Sequence, residues 1–163
     1  MVAGIRSYLA AAGLDVAHKV RKGSLVLSSD QNHLVNGRFD VDNMQRLLSD
    51  AVDRALSHGY HSLWATGDMS WEFGGEQDFS KLLEYEWGLE NLFRRQPALT
   101  GACQYHTLIL RREAIRTGLQ THQTVYLNET LNRINPYFVP AGAKAAAAQR
   151  RIEEMLKYFQ AHA

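Results

Sequence analysis

The sequence predicts an α/β domain, a mainly parallel sheet flanked by helices. Three observations carry this expectation. Amphipathic helical stretches alternate along the chain with apolar runs too short to be helices. Residues 62–93 read as strand, irregular loop and helix, the order in which α/β chains present a site at the carboxyl end of a sheet. The 163 residues, 45% hydrophobic and 21% charged, suit one folded domain with a sizeable core.

Taken in order, residues 5–12 (IRSYLAAA) read as a short helix ended by Gly13. Residues 14–16 and 24–28 read as short extended pieces around a basic turn from Lys19 to Gly23. Residues 32–40 read as a loop. Asp40 or Asp42 then caps an amphipathic helix with Met44, Leu47, Leu48, Val52, Ala55 and Leu56 on one face, closed by Gly59. Residues 62–65 form a strand, and a loop from Gly67 to Gln77 follows, marked by Gly67 and the Gly74-Gly75 pair. Asp78 is a natural N-cap for a helix from Phe79 to about Arg95.

That helix carries an unusual stripe. Phe79, Leu82, Leu83, Leu89 and Phe93 share a side at helical spacing, with Glu86 and Glu90 in the middle of it. A carboxylate on a core-facing stripe must be paired, hydrogen-bonded or protonated, because burying it bare costs several kcal/mol. Pro97 closes the helix, and residues 101–110 read as the next buried strand. A short helix over 113–119, a strand over 124–127 and an irregular stretch over 128–140 with an Asn135-Pro136 turn follow. The chain ends in an alanine-rich helix over 143–162, with Ile152, Met155, Leu156 and Phe159 as its apolar stripe.

Composition excludes several classes. A formal net charge of +1 gives no push toward nucleic acid or a membrane surface. No apolar run is long enough to span a bilayer, and the first residues lack the pattern of a secretory signal. A single cysteine, Cys103, excludes an internal disulfide and fits a cytoplasmic setting. There is no phosphate-binding loop, no GxGxxG after a strand, no GxSxG elbow, no CxxC and no HExxH. No nucleotide, metal or other cofactor is expected.

What remains is a looser constellation. In a regular strand Cys103 and Tyr105 share one face and His106 takes the other. His122 follows the next helix. With Glu86 these residues offer either metal ligands or a Cys–His nucleophile pair. A cysteine in a buried strand is more usually a small hydrophobe. Trp71 and Phe73 flank Glu72 in a glycine-bordered loop, where large apolar groups suit a pocket lid or a partner surface.

The motifs WATGDMSWEFG (64–74), LLEYEWGLE (82–90), CQYH (103–106) and THQTVYLNETLNRINPYF (121–138) resemble the MEDS domain, a sensory domain of prokaryotic signal transduction. The resemblance runs from about Ile5 to Pro140. It implies a RecA/KaiC-like core without the phosphate-binding loop, and a sensor of simple hydrocarbon derivatives. Family members usually begin with a further strand and helix, so part of the family's sheet is expected to be missing here.

The expected unit is therefore a non-catalytic sensory domain over 1–140 with an amphipathic helix over 141–163. Its small, largely apolar ligand is expected against Trp64, Trp71, Phe73 and Tyr85, with Asp68, Glu72, Glu86, Cys103, Tyr105 and His106 as further contacts. One alternative is a metal- or Cys/His-dependent enzyme using Cys103, His106, His122 and Glu86. The other is an oligomerising module. The expected partners are the ligand, a second copy in a homodimer joined through the last helix, and a separate signalling or DNA-binding protein serving transcription regulation.

Overall fold

In a computed structural model the described residues are 2–28, 33–70, 79–127, 130–132, 135–139, 152–154 and 156–157. Two N-terminal helices, α1 (Val2–Ala11) and α2 (Val16–Arg21), precede a hairpin of β1 (Leu34–Val35) and β2 (Arg38–Phe39). Then come α3 (Val41–Ser57), β3 (Leu63–Asp68), a 3-10 turn (Phe79–Lys81), α4 (Leu82–Arg95) and β4 (Leu99–Gln104). Helix α5 (Arg112–Thr121) and a second hairpin, β5 (Val125–Leu127) with β6 (Thr130–Asn132), follow. Residues 152–154 and 156–157 are helical.

The site hangs on the parallel pair. β3 and β4 run side by side from Leu63↔Leu99 to Asp68↔Gln104, connected through α4. Parallel neighbours require such a crossover. Their approach is close at Gly101, where a Cβ would fall 2.6 Å from the Ala65 carbonyl oxygen. Among the described residues this is the one parallel pair, beside two antiparallel hairpins. The architecture is thus a small parallel sheet flanked by helices.

Local chemistry explains the helix ends. Asp40 accepts from the Asn43 amide at 2.7 Å and caps α3, as expected, and Gly59 (φ +82) closes the following turn. Val41, Met44 and Val52 face the core, whereas Leu56, expected on the same face, is 45% exposed. Two expectations in the N-terminal third are corrected. Residues 14–16 are not extended, because Asp15 accepts from the His18 amide at 2.9 Å and starts α2, which absorbs most of the supposed basic turn. Residues 24–28 join no strand among the described residues. Residues 32–40 are not simply a loop, since Asn36 (φ +52) and Gly37 (φ +77) form the left-handed two-residue turn of a tight hairpin.

The core lies between α3, α4, α5 and the helical residues near the C-terminus. It gathers Val52, Met69, Leu82, Leu89, Leu119 and Ile152, each at most 6% exposed. Full burial of one such side chain stabilises the fold by about 1.5–3 kcal/mol. Tyr85 joins them, edge-on to Phe39 with ring centroids 5.0 Å apart. On α4 Tyr85 takes the inward place expected of Leu83, which is 40% exposed.

Ile152 and Leu156 pack into this core within the same chain, and Glu153 binds both Arg112, at 2.7 Å, and Arg116 of α5. Part of the last helix is therefore fastened to α5. The expected cap Asp78, the 145–148 alanine run, Met155 and Phe159 lie outside the described residues.

Candidate functional site

The inward face of α4 brings a carboxylate into the core. Glu86 is 0% exposed, flanked along the helix by buried Leu82, Tyr85 and Leu89. Helical spacing sets Glu90 one turn further on the same side. Two other elements converge on this pair. The end of β4 delivers Cys103, with Tyr105 just beyond it, and the C-terminal end of α5 delivers His122.

The geometry is compact. The Tyr105 hydroxyl donates to Oε1 of Glu86. Cys103 Sγ lies 3.9 Å from Oε2 of Glu86, and Nε2 of His122 lies 2.8 Å from the same oxygen. On the other side of the imidazole, Nδ1 stands 3.5 Å from Oε1 of Glu90. The ring is thus bracketed by two carboxylates from successive turns of one helix. The 2.8 Å approach is close in distance but is not aligned as a hydrogen bond, so buried Nε2 has no directional partner. We read this contact as an ion pair rather than a hydrogen bond.

Electrostatics follow from that arrangement. Burial by itself would push the imidazole of His122 down. The Cys103 thiol, then the Glu86 and Glu90 carboxylates, outweigh burial and hold it up at about 12. Its place at the C-cap of α5 adds the negative end of the helix dipole, which also favours a cation.

The supports are specific. The ring of Tyr105 lies against α5 at Gly118, where a Cβ would fall 2.7 Å from Cζ of Tyr105. Only glycine leaves room for the ring. Asn135, 5% exposed, donates from Nδ2 to the carbonyls of Leu119 and His122, both at 2.6 Å, and accepts from the Tyr137 amide at 2.9 Å. It clamps the turn that carries His122. Sequence reasoning singled out neither Gly118 nor Asn135 for the site. The only available signal was the Asn-Pro turn at 135–136.

Of the residues expected at the site, the structure brings together Glu86, Cys103 and Tyr105, joined by His122 and Glu90. Tyr85 is buried in the core, whereas Trp64 is 64% exposed on β3, so the two stand in different surroundings. Asp68 accepts from the Ser70 amide at 2.8 Å and closes the turn after β3. His106 is exposed, and its ring accepts from the Leu108 amide at 3.3 Å. It stands apart from the cluster, which removes it from the set drawn up for the enzyme alternative. Trp71, Glu72 and Phe73 lie outside the described residues. A separate open cleft of about 480 Å³ beside the first hairpin is lined by Val35, Asn36, Arg38, Phe39 and Asp40, none of them an expected site residue.

Fold and site together define a small α/β domain with a polar centre buried between a helix pair and the end of a parallel strand. Residues 1–123 match the MEDS family, the methanogen/methylotroph, DcmR sensory domain, and the chain belongs to that family. The matched segment reaches one residue past His122 and so holds the whole cluster. No curated protein and no solved structure matches the chain. Among the described residues no helix is long and apolar enough to cross a membrane.

Proposed function

We propose that this chain is a non-catalytic sensory domain of prokaryotic signal transduction, and that its sensing centre is the cluster of Glu86, Cys103, Tyr105 and His122. One observation carries the placement. A fully buried carboxylate meets a thiol and a phenol from one segment and an imidazole from another inside the matched family domain. Structural burial of a charge is costly and is often neutral or worse for stability, so such groups concentrate where a protein binds something.

The ligand we assign is a small, largely apolar hydrocarbon derivative with one polar group. The apolar surroundings of the cluster, Leu82, Tyr85, Leu89 and Leu119, support that choice. Trp71 and Phe73 belong to the same reading as ligand contacts. We extend it to a RecA/KaiC-like core, since β3–α4–β4 is the parallel crossover unit that such cores repeat. The sensory unit runs over 1–140 with the helix 141–163 appended. It works in the cytoplasm as a homodimer that reports to a separate signalling or DNA-binding partner and so to transcription.

The test is nuclear magnetic resonance of the His122 imidazole and Tyr105 ring while dichloromethane and, separately, methanol are added. Saturable shifts at both residues with exposed His61 unmoved are expected. Shifts at neither residue with either probe would overturn the placement.

A further inference from the structure

We propose that Glu86, Cys103 and His122 form a binding site for one divalent transition-metal ion of the zinc type. This assignment rests on the sensory role proposed above and names what the centre holds.

Three donor atoms of three kinds converge, a carboxylate oxygen, a thiol sulfur and an imidazole nitrogen, all within 4.8 Å of one another. Around a tetrahedral zinc ion, bonds of about 2.3 Å to sulfur and about 2.1 Å to oxygen place those two atoms roughly 3.6 Å apart. Cys103 Sγ and Glu86 Oε2 are 3.9 Å apart. The nitrogen stands closer to that oxygen than two ligands of one ion would, so His122 must draw back by roughly half an ångström.

A second, independent observation points the same way. Nε2 of His122 is buried, and the carboxylate oxygen 2.8 Å away is ion-paired with it but not aligned as a hydrogen bond. Buried polar atoms are nearly always satisfied. An ion held by Cys103 and Glu86 would give that nitrogen, once deprotonated, a directional partner.

The outer groups are those a metal site needs. Metal-bound histidines usually hold a carboxylate on their other nitrogen, which fixes the ring and strengthens it as a donor. Glu90 stands 3.5 Å from Nδ1 of His122. Tyr105 occupies Oε1 of Glu86 and leaves Oε2 for the ion. Asn135 fixes the backbone of His122. Sulfur, nitrogen and one carboxylate oxygen select zinc or a metal of similar softness over magnesium or calcium. Three protein ligands leave a fourth position open, as in sites that exchange a small ligand.

Cobalt(II) added to the full chain after chelator treatment is the probe. One cobalt per chain is expected, with the intense visible bands of a four-coordinate ion and a near-ultraviolet thiolate-to-metal band, both abolished by zinc. Cys103→Ser should remove the near-ultraviolet band and weaken binding by about 100-fold or more, while Glu90→Gln weakens it about 10- to 100-fold and keeps the band. His106→Ala should bind as the wild type does. Circular dichroism confirms that each variant is folded, and Glu86→Gln is read only if it folds. Folded wild type that takes up no stoichiometric cobalt, or Cys103→Ser binding as tightly as wild type, overturns the proposal. A chain that binds no cobalt yet shows probe-dependent shifts at Tyr105 and His122 loses the metal and keeps the sensory role. A chain that binds cobalt but answers to neither dichloromethane nor methanol keeps the metal and loses that role.

Discussion

Glu84 and Glu86 stand two residues apart on α4 and meet opposite surroundings. Glu84 faces water and pairs with Lys81 at 2.9 Å, with both side chains more than half exposed. That pair, chiefly through the hydrogen bond to Glu84, holds the Lys81 ammonium above its ordinary value. Solvent and salt screen such a pair, and it contributes little to stability. Glu86 is fully buried and is met by Tyr105, Cys103 and His122. The same functional group is decoration on one face of the helix and an organising centre on the other. The difference lies in which groups the protein has spent core volume to place around it.

The strongest way to break this comparison is Glu86→Ala. It should cost about 3–5 kcal/mol in urea unfolding, because it strands His122 as a buried charge without its main counter-charge. A loss as small as that of an exposed glutamate would contradict the buried pairing.

The comparison can next be sharpened by pH, in protein kept metal-free with chelator. The folded value of His122 lies near 12, above its ordinary 6.5. Its contribution to stability is therefore complete below the unfolded value and is lost as pH rises toward the folded one. Between about pH 7 and 9 the wild type should lose more stability than His122→Gln, and parallel curves would refute the shift.

A smaller loss, about 1–3 kcal/mol, is expected of Gly118→Ala, because the new methyl drives into the ring of Tyr105. Urea midpoints measure the cost. Resonances of the Tyr105 ring should move with it, since its hydroxyl is pushed off Glu86. Glu84→Ala should leave the urea midpoint almost unmoved and is the baseline for the series.

Glu86 was legible in the sequence because it interrupts an apolar stripe, a pattern that periodicity exposes directly. Cys103 and Tyr105 were read as a same-face pair on a strand over 101–110; both reach Glu86, but β4 ends at Gln104 and Tyr105 lies just beyond it. The convergence of His122 with Glu86 was not, because it depends on where α5 folds back against α4, which no local pattern encodes. Asn135 read only as a turn residue. Its part in the site comes from two carbonyls many positions away. In the fold, the crossover from β3 through α4 to β4 followed from alternating periodicity. The first hairpin was missed although Asn36-Gly37 is a strong turn signal, because strands of two residues carry no alternation to count. Helix α2 was missed because a cap at Asp15 outweighed a short apolar run.

Two groups of the polar centre lie close to Glu86 along the chain. Cys103 follows Glu86 by 17 positions and Tyr105 by 19. Loops of that length close for about 2–3 kcal/mol of chain entropy each, and short-range closures form sooner than distant ones. The order of events in folding follows from this spacing. On spacing alone, the contacts of Glu86 with Cys103 and Tyr105 are expected to form before the Glu153 pairs with Arg112 and Arg116, which span 41 and 37 positions. Rate measurements on Tyr105→Phe should therefore show slowed folding, whereas Glu153→Gln should speed unfolding and leave the folding rate unchanged. The short-range half of the polar centre is then expected to form before the distant latch that braces it.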